Sequence, residues 1–248
     1  MLLSFVIPAF NEAACIEACL GSIANAVQAC GPDGRLNSPL AFSTEVMVVD
    51  NNSTDATAEL AAEGGATVVF EPVNQIARAR NAGAAAASGD WLVFIDADSE
   101  LPAGLLGDLL QLIAGGEHIG CGSLMTMDDM PRSAKWMLST WSLMSTTLNW
   151  AAGSFIACRA DAFHAIGGFD TELYAAEEID FSRRIKRYAR AHHTRFTVLR
   201  DHPLQTSNRK VKLYSAREQY AQLWRLLLRP RKALRDKQAL GVWYDGRR

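Results

Sequence analysis

The sequence predicts an α/β protein in which a mostly parallel sheet is flanked by helices, and three features carry that expectation. Through the first half, apolar runs of strand length alternate with helical stretches. The connections between them are short. The run Leu92–Ile95 is apolar at every position, as a strand buried on both faces requires. A β-α-β-α-β-α-β series joined in this way folds as a doubly wound, Rossmann-like sheet. The second half is less regular and is expected to add a mixed region.

Leu2–Ile7 reads as the first strand, stopped by Pro8. Asn11 is placed to cap a helix through Val27, with Ile16, Leu20, Ile23 and Val27 on one face. Residues 31–39, rich in Gly, Pro, Asp, Asn and Ser, form a loop. Glu45–Val49 is the second strand and ends at Asp50; Ser53-Thr54-Asp55 caps a helix over Ala56–Glu63, and Ala66–Phe70 is the third strand. The alanine-rich helix Ile76–Ala87 leads through the turn Ser88-Gly89-Asp90 into the fourth strand. Beyond it, Pro102–Ala114 is helical, Ile119–Met127 a strand, and Pro131–Leu148 a long helix with Trp136 and Trp141. Phe155–Cys158 is a short strand, Tyr174–Arg190 a helix and Thr194–Leu199 a strand, and a basic helix over Leu213–Leu228 stops at Pro230. No repeat or low-complexity linker divides the chain, so one domain is expected.

With 248 residues the chain buries one large core. Its 49% apolar and 21% charged residues and net charge of −2 exclude a dedicated nucleic-acid binder, which would be basic. Basic residues nevertheless concentrate from Arg183 onward. No apolar run approaches the ~20 residues of a membrane span. The start, Met-Leu-Leu-Ser-Phe-Val-Ile-Pro, lacks the basic segment of a secretion signal and reads as a strand, so a cytoplasmic location is expected. Five cysteines, odd in number and without a C-x-x-C pair, read as buried thiols in a reducing compartment.

Three polar segments follow strands one, two and four, and all should meet at the carboxyl edge of the sheet, where open α/β folds bind ligands. Asp96 and Asp98 flank Ala97 at the end of the fourth strand, and strand alternation points both carboxylates the same way. Mg²⁺ or Mn²⁺ takes one or two such carboxylates and completes its shell with water and substrate phosphates. Asp50 has two readings of equal weight: acceptor for a nucleobase N–H, or an Asx-turn residue ahead of the Ser53 helix. No G-x-G-x-x-G follows any strand, which disfavours a dinucleotide oxidoreductase.

Val6-Ile7-Pro8-Ala9-Phe10-Asn11-Glu12, Val48-Val49-Asp50-Asn51-Asn52-Ser53-Thr54-Asp55, Ala79-Arg80-Asn81-Ala82-Gly83, Asp96-Ala97-Asp98, Gly167-Gly168-Phe169-Asp170 and Glu177-Glu178-Ile179-Asp180-Phe181 occur in this order. Together they resemble the motifs of the family 2 glycosyltransferases of GT-A fold, over residues 2–185. The resemblance implies one catalytic domain, with a nucleotide-binding half at 1–98, an acceptor-binding half at 99–205 and a basic tail at 206–248. It implies a metal-dependent, inverting transfer of a sugar from a nucleoside-diphosphate sugar, with uridine the favoured base, to an acceptor hydroxyl on a glycan, a lipid-linked molecule or a small molecule.

Residue by residue, the resemblance puts Pro8, Ala9, Asn11 and Glu12 along the nucleotide, with Asp50 and Asn52 at the base. Arg80 lies near base and diphosphate, as suits a permanently charged fork. Asp96 and Ala97 approach the ribose and sugar, and Asp98 is the principal ligand of Mn²⁺ or Mg²⁺, which neutralises the leaving diphosphate. Glu178 is the expected base, with Glu177 second; the family pair is usually Glu-Asp, so the second acid here is one methylene longer. Asp180 instead precedes Arg183 and Arg184 at helical spacing, as in a surface ion pair. His202 has two readings, a packed or surface histidine and a second metal ligand. Arg209 and Lys210 either close over the diphosphate or lie on a solvated loop.

The tryptophan-rich stretch falls at the acceptor side and is expected to be mostly core, with one ring for the acceptor. The tail either rests on an anionic membrane surface, at its inner face, or docks as a helix. Two other classes use similar scaffolds: a nucleotidyltransferase that makes nucleotide sugars, and a non-catalytic nucleotide- or sugar-binding protein. The first would carry a glycine-rich basic loop after strand one, where this chain has Pro8-Ala9-Phe10-Asn11-Glu12.

Overall fold

Among the described residues, eight strands form one sheet. The structure, a computed structural model, describes residues 1–36, 38–127 and 154–207. Its elements run β1 (Leu2–Ala9), α1 (Ile16–Cys30), β2 (Ser43–Asp50), α2 (Thr57–Glu63), β3 (Thr67–Phe70), α3 (Ile76–Ala86) and β4 (Trp91–Ile95). Then follow β5 (Ser99–Glu100), α4 (Ala103–Ala114), β6 (His118–Thr126), β7 (Phe155–Arg159), α5 (Ala160–Ala165), α6 (Glu177–Ala191) and β8 (Arg195–Thr206).

Strands β3, β2, β1 and β4 are parallel, as the alternating pattern predicts. β7 then runs antiparallel between β4 and β6, while β6 pairs parallel with β8, and β5 closes the edge antiparallel to β8. Register aligns Ala9 with Asp50 and Asp50 with Phe70, so the loops that follow these strands leave the sheet at one level.

Strand alternation divides the core into two layers. Phe5, Ile7, Val93 and Ile95 pack with Ile16 and Ile23 of α1 and with Leu105, Leu106, Leu109 and Leu110 of α4. Val6, Leu92 and Phe94 pack on the opposite face with Ala77 of α3, Phe163 of α5, and Phe181 and Ile185 of α6. Every residue of β4 is buried, so its two faces serve both layers. Cys19, Cys30, Cys121 and Cys158 are buried thiols and Cys15 is partly buried.

β1 does not stop at Pro8 but runs through it to Ala9, both in register with β2, and three further boundaries differ from the sequence pattern, each for a local reason. α1 starts at Ile16, and Asn11 is not its cap. Asn11 instead holds a left-handed backbone (φ 53°) and its Oδ1 accepts from Thr54 N at 2.8 Å. α6 starts at Glu177 because Ala176 is left-handed at φ 60° and breaks the helical run. β8 continues to Thr206, past Leu199. Pro203 lacks an N–H for a regular ladder, and the pairing with β6 jumps from Ser123–Leu199 to Met125–Leu204, a bulge that takes up the residues between. The short elements β5 and α5 carry too few residues for a periodic signal. The expected helices at 131–148 and 213–228, Arg209 and Lys210 lie outside the described residues. No described helix is long and apolar enough to cross a membrane.

Candidate active site

A cleft of about 310 Å³ opens at the carboxyl ends of β1 and β4 and the start of α6, a size typical of small-molecule sites. Pro8, Ala9 and Glu12 line it from β1, Asp96, Ala97 and Asp98 from β4, Arg80 from α3, and Glu177 and Glu178 from α6. The structure thus brings these expected residues to one place. It also adds Asn74 before α3, Ile76 at its start, Tyr174 before α6, and Thr206 and Ser207 at the end of β8. None of these five stands in a motif with a chemical signature, so only the fold could bring them in.

The loops after β1 and β2 are laced to one another. Ser53 Oγ accepts from Asn11 N (3.0 Å), Thr57 Oγ1 accepts from Glu12 N (2.8 Å), and Asp55 accepts from Ala13 N (3.2 Å) and Thr57 N (3.1 Å). Asp55 thus forms an Asx turn onto Thr57, the first residue of α2, while the expected cap is not made: the N-cap position is Ala56, which has no side-chain bond. Asp50 takes the turn role: its Oδ1 accepts from Ser53 N at 3.0 Å, and it is Asn51 that faces the cleft. Asn51 donates to Glu71 O and Val73 O and accepts from Gln75 N, fixing the loop that carries Asn74. Asn11 and Asn52 stand outside the lining; Asn52 is exposed and left-handed at φ 67°.

Arg80 is the hub of the buried side. Only 1% of its side chain is exposed; NH2 donates to Asp96 Oδ1 and NH1 to Glu177 Oε1, each at 3.0 Å. Its guanidinium carbon lies 5.2 Å from the centre of the Phe169 ring. The resemblance assigns this fork to the base and diphosphate; here it is engaged by two carboxylates. The next residue, Asn81, holds Phe169 by both backbone groups, accepting from its N–H and donating to its carbonyl at 2.9 Å each. Gly168, at φ 66°, has no room for a side chain, since a Cβ would stand 2.7 Å from Asn81 Oδ1. Gln75 donates to Thr171 O (2.8 Å) and Leu173 O (2.9 Å), so the segment leading to α6 is pinned from the nucleotide side.

Glu177 is buried against Arg80, whereas Glu178 is the next acid of the cleft wall. Burial and then the negative charge of Glu177 push the Glu178 carboxyl up to about 8, against the opposing pull of Arg80. A carboxyl so placed can exchange a proton near neutral pH.

Asp98 and Asp96 offer hard carboxylate oxygens on the same wall, and one Asp96 oxygen is held by Arg80. Among the described residues no third His, Cys, Asp or Glu joins them in a metal-holding group. Such a donor set fits Mg²⁺ or Mn²⁺, which take few protein ligands beside substrate phosphates, and does not make a closed structural site. His202 does not join them. The β8 bulge turns it onto α4, where Nδ1 lies 2.9 Å from Asp108 Oδ2, and β8 reaches the cleft only at Thr206. Cys19 lies below, its thiol 3.8 Å from the Asp96 carbonyl. Burial and the two aspartates raise its pKa and keep it protonated.

A family model described as Glycosyl transferase family 2 matches residues 4–167, well over half of the chain. A glycosyltransferase of Mycobacterium bovis is 38% identical over 109 residues, 44% of this chain and 41% of its own length. The dolichol-phosphate mannosyltransferase of Pyrococcus furiosus is 31% identical over 131 residues, 50% of this chain and 33% of its own length. The chain thus spans less than half the length of these relatives. Among solved structures, Staphylococcus aureus TarS 1–349 superposes with a TM-score of 0.62 at 20% identity, over 85% of this chain and 61% of that one. Glucosyl-3-phosphoglycerate synthase of Mycobacterium tuberculosis, in complex with Mn²⁺, UDP and glucosyl-3-phosphoglycerate, gives 0.53 at 25% identity, over 86% and 74%. The mixed sheet with its cleft at the carboxyl edge is therefore the GT-A fold, and the chain belongs to glycosyl transferase family 2.

Proposed function

We propose that this chain is an inverting glycosyltransferase that moves a sugar from a nucleoside-diphosphate sugar to an acceptor hydroxyl, with Glu178 as the base. The observation that carries this reading is the position of Glu178, on the cleft wall with Asp96 and Asp98 and with its carboxyl raised by burial beside Glu177. Neighbouring structures support the donor class: TarS has been solved with UDP-GlcNAc, and a Pyrobaculum calidifontis mannosyltransferase with GDP-Man and Mn²⁺.

The nucleotide lies along Pro8, Ala9, Glu12 and Asn51. Asp96, steadied by Arg80, faces the sugar, and the acceptor enters from the α6 side. Glu178 takes the hydroxyl proton as the acceptor oxygen forms its bond to the anomeric carbon. The bond from that carbon to the diphosphate breaks on the opposite face, which inverts the configuration. Asp98 would hold Mn²⁺ or Mg²⁺, whose charge offsets that of the departing diphosphate. The nucleotide-binding half is residues 1–98 and the acceptor-binding half 99–205. A uridine donor is favoured by the UDP complexes among the neighbours, and a lipid-linked acceptor at the inner face of a membrane would suit the basic tail at 206–248.

The test is thermal stability with UDP, GDP and dTDP, each with Mn²⁺ or EDTA, for the wild type and for Glu178→Gln. Ligand at one hundred times its Kd adds about 2.7 kcal/mol. One nucleotide should stabilise both proteins only with metal, and only the wild type should then transfer sugar. Metal-dependent binding with equal turnover in both would remove Glu178 as base. Binding without turnover in the wild type, across a panel of donors and acceptors, would favour a non-catalytic binding protein.

A further inference from the structure

We infer that Arg80 is a positioning residue: by bridging Asp96 and Glu177 it locks the donor-side and acceptor-side acids into one arrangement and assigns the proton to Glu178. A guanidinium presents donors in a rigid plane, so it can bond two carboxylates at once, which an ammonium on a flexible stem does poorly. Here the two bonds join segments far apart in sequence, Asp96 after β4 and Glu177 at the start of α6. The fork is also held from behind. Phe169 lies 5.2 Å from the guanidinium carbon, is clamped at both backbone groups by Asn81, and stacks on Phe181 of α6 at 4.5 Å. Turning the fork toward a diphosphate would strand a buried carboxylate at Glu177. The same bonds set the roles of the acid pair. Glu177 is tied down by Arg80, and Glu178, one residue on and about 100° around the helix, keeps a carboxyl on the cleft wall.

Among the described residues, the charged and titratable groups that share the cleft with Glu178 are Arg80 from α3, Asp96 and Asp98 after β4, Glu12 after β1, Tyr174 before α6, and Glu177 on α6 itself. Of these, Glu177 raises and Arg80 lowers the affinity of Glu178 for its proton. Removing either should therefore move Glu178 in opposite directions.

The inference rests on the transferase reading only in giving Glu178 a proton to accept, and its first test does not need turnover. In the full chain with EDTA, the Glu178 carboxyl is titrated by carbon-13 NMR, assigned by its absence in Glu178→Gln. Glu177→Gln should lower the midpoint, and Arg80→Met should raise it, each by about half a pH unit or more. Midpoints that stay fixed, or move the same way, would overturn the inference. Arg80→Met risks unfolding, so Arg80→Lys is the second variant. It keeps the charge but not the fork, and should leave the midpoint near that of the wild type. Its kcat should fall at least tenfold, with the donor KM unchanged. An unchanged kcat, or a raised donor KM with kcat intact, would overturn positioning, the latter by returning Arg80 to the diphosphate. A wild type that titrates as described but transfers no sugar would sink the transferase reading alone.

Discussion

Replacing Asn81 by Ala should destabilise the protein by about 2–4 kcal/mol, and the figure follows from two hydrogen bonds. Asn81 Oδ1 accepts from Phe169 N and Nδ2 donates to Phe169 O, both at 2.9 Å and partly buried. Each neutral bond contributes about 1 kcal/mol net, and a buried group left without a partner costs about 1–3 kcal/mol. Water partly reaches the turn, so the two orphaned groups together cost about 2–4 kcal/mol, and the net bond energy is already contained in that figure. The two residues before Phe169, Gly167 and Gly168, are left-handed, at φ 79° and 66°, and carry no side chain that could replace these bonds. The loss is large against the ~5–15 kcal/mol by which a domain is stable. Urea unfolding followed by tryptophan fluorescence measures it, since Trp91 of β4 is 5% exposed and reports on the core. Metal-dependent nucleotide binding should weaken as well, because Phe169 backs Arg80. A loss below about 0.5 kcal/mol, the range of ordinary surface substitutions, would refute the idea that Asn81 is the clamp of this turn.

Gly83→Ala should cost about 1–3 kcal/mol by overpacking. The new Cβ would stand 2.4 Å from Val6 Cγ1 and 2.8 Å from Val49 Cγ2, both in the core; a thermal melt shows it. His202→Ala should leave metal-dependent nucleotide binding unchanged and alter stability by no more than about 1 kcal/mol, because its partner is Asp108 on a partly exposed face; a lost metal dependence in calorimetry would return His202 to the site. Glu178 carries a pH prediction. Its pKa is raised from 4.5 to about 8 on folding, so the native state binds more protons between those values. The stability held below pH 4.5 is then lost as pH rises through 8. Glu178→Gln should therefore gain on the wild type by about 1 kcal/mol or more from pH 5 to pH 8, read from paired urea titrations, while wild-type turnover should climb through the same upper limit.

Much of the fold is legible in the residues because it rests on local periodicity. The all-apolar run before Asp96 marks β4, alternation and short connections mark the parallel strands, and the apolar spacing in 177–191 marks α6. The carboxylates that converge on the cleft are legible too, since residues that follow parallel strands must leave the sheet at one edge. Asn11 shows where this stops. Its pattern is that of a helix cap, but its left-handed backbone is stabilised by Thr54, a partner from another loop. His202 shows it again, because a bulge opposite β6 decides which way it faces.

What the sequence by itself determined is the order of strands and helices, the burial of their apolar faces, and the set of acids at one edge of the sheet. These follow from torsional preference and hydrophobic period, which each segment carries alone. The pairing of Arg80 with Asp96 and Glu177, the burial of Glu177 beside a more open Glu178, and the entry of Thr206 and Ser207 into the cleft were decided only by the tertiary structure. A charge has no partner until the chain is folded, and the residues that supply one here lie up to 97 positions away.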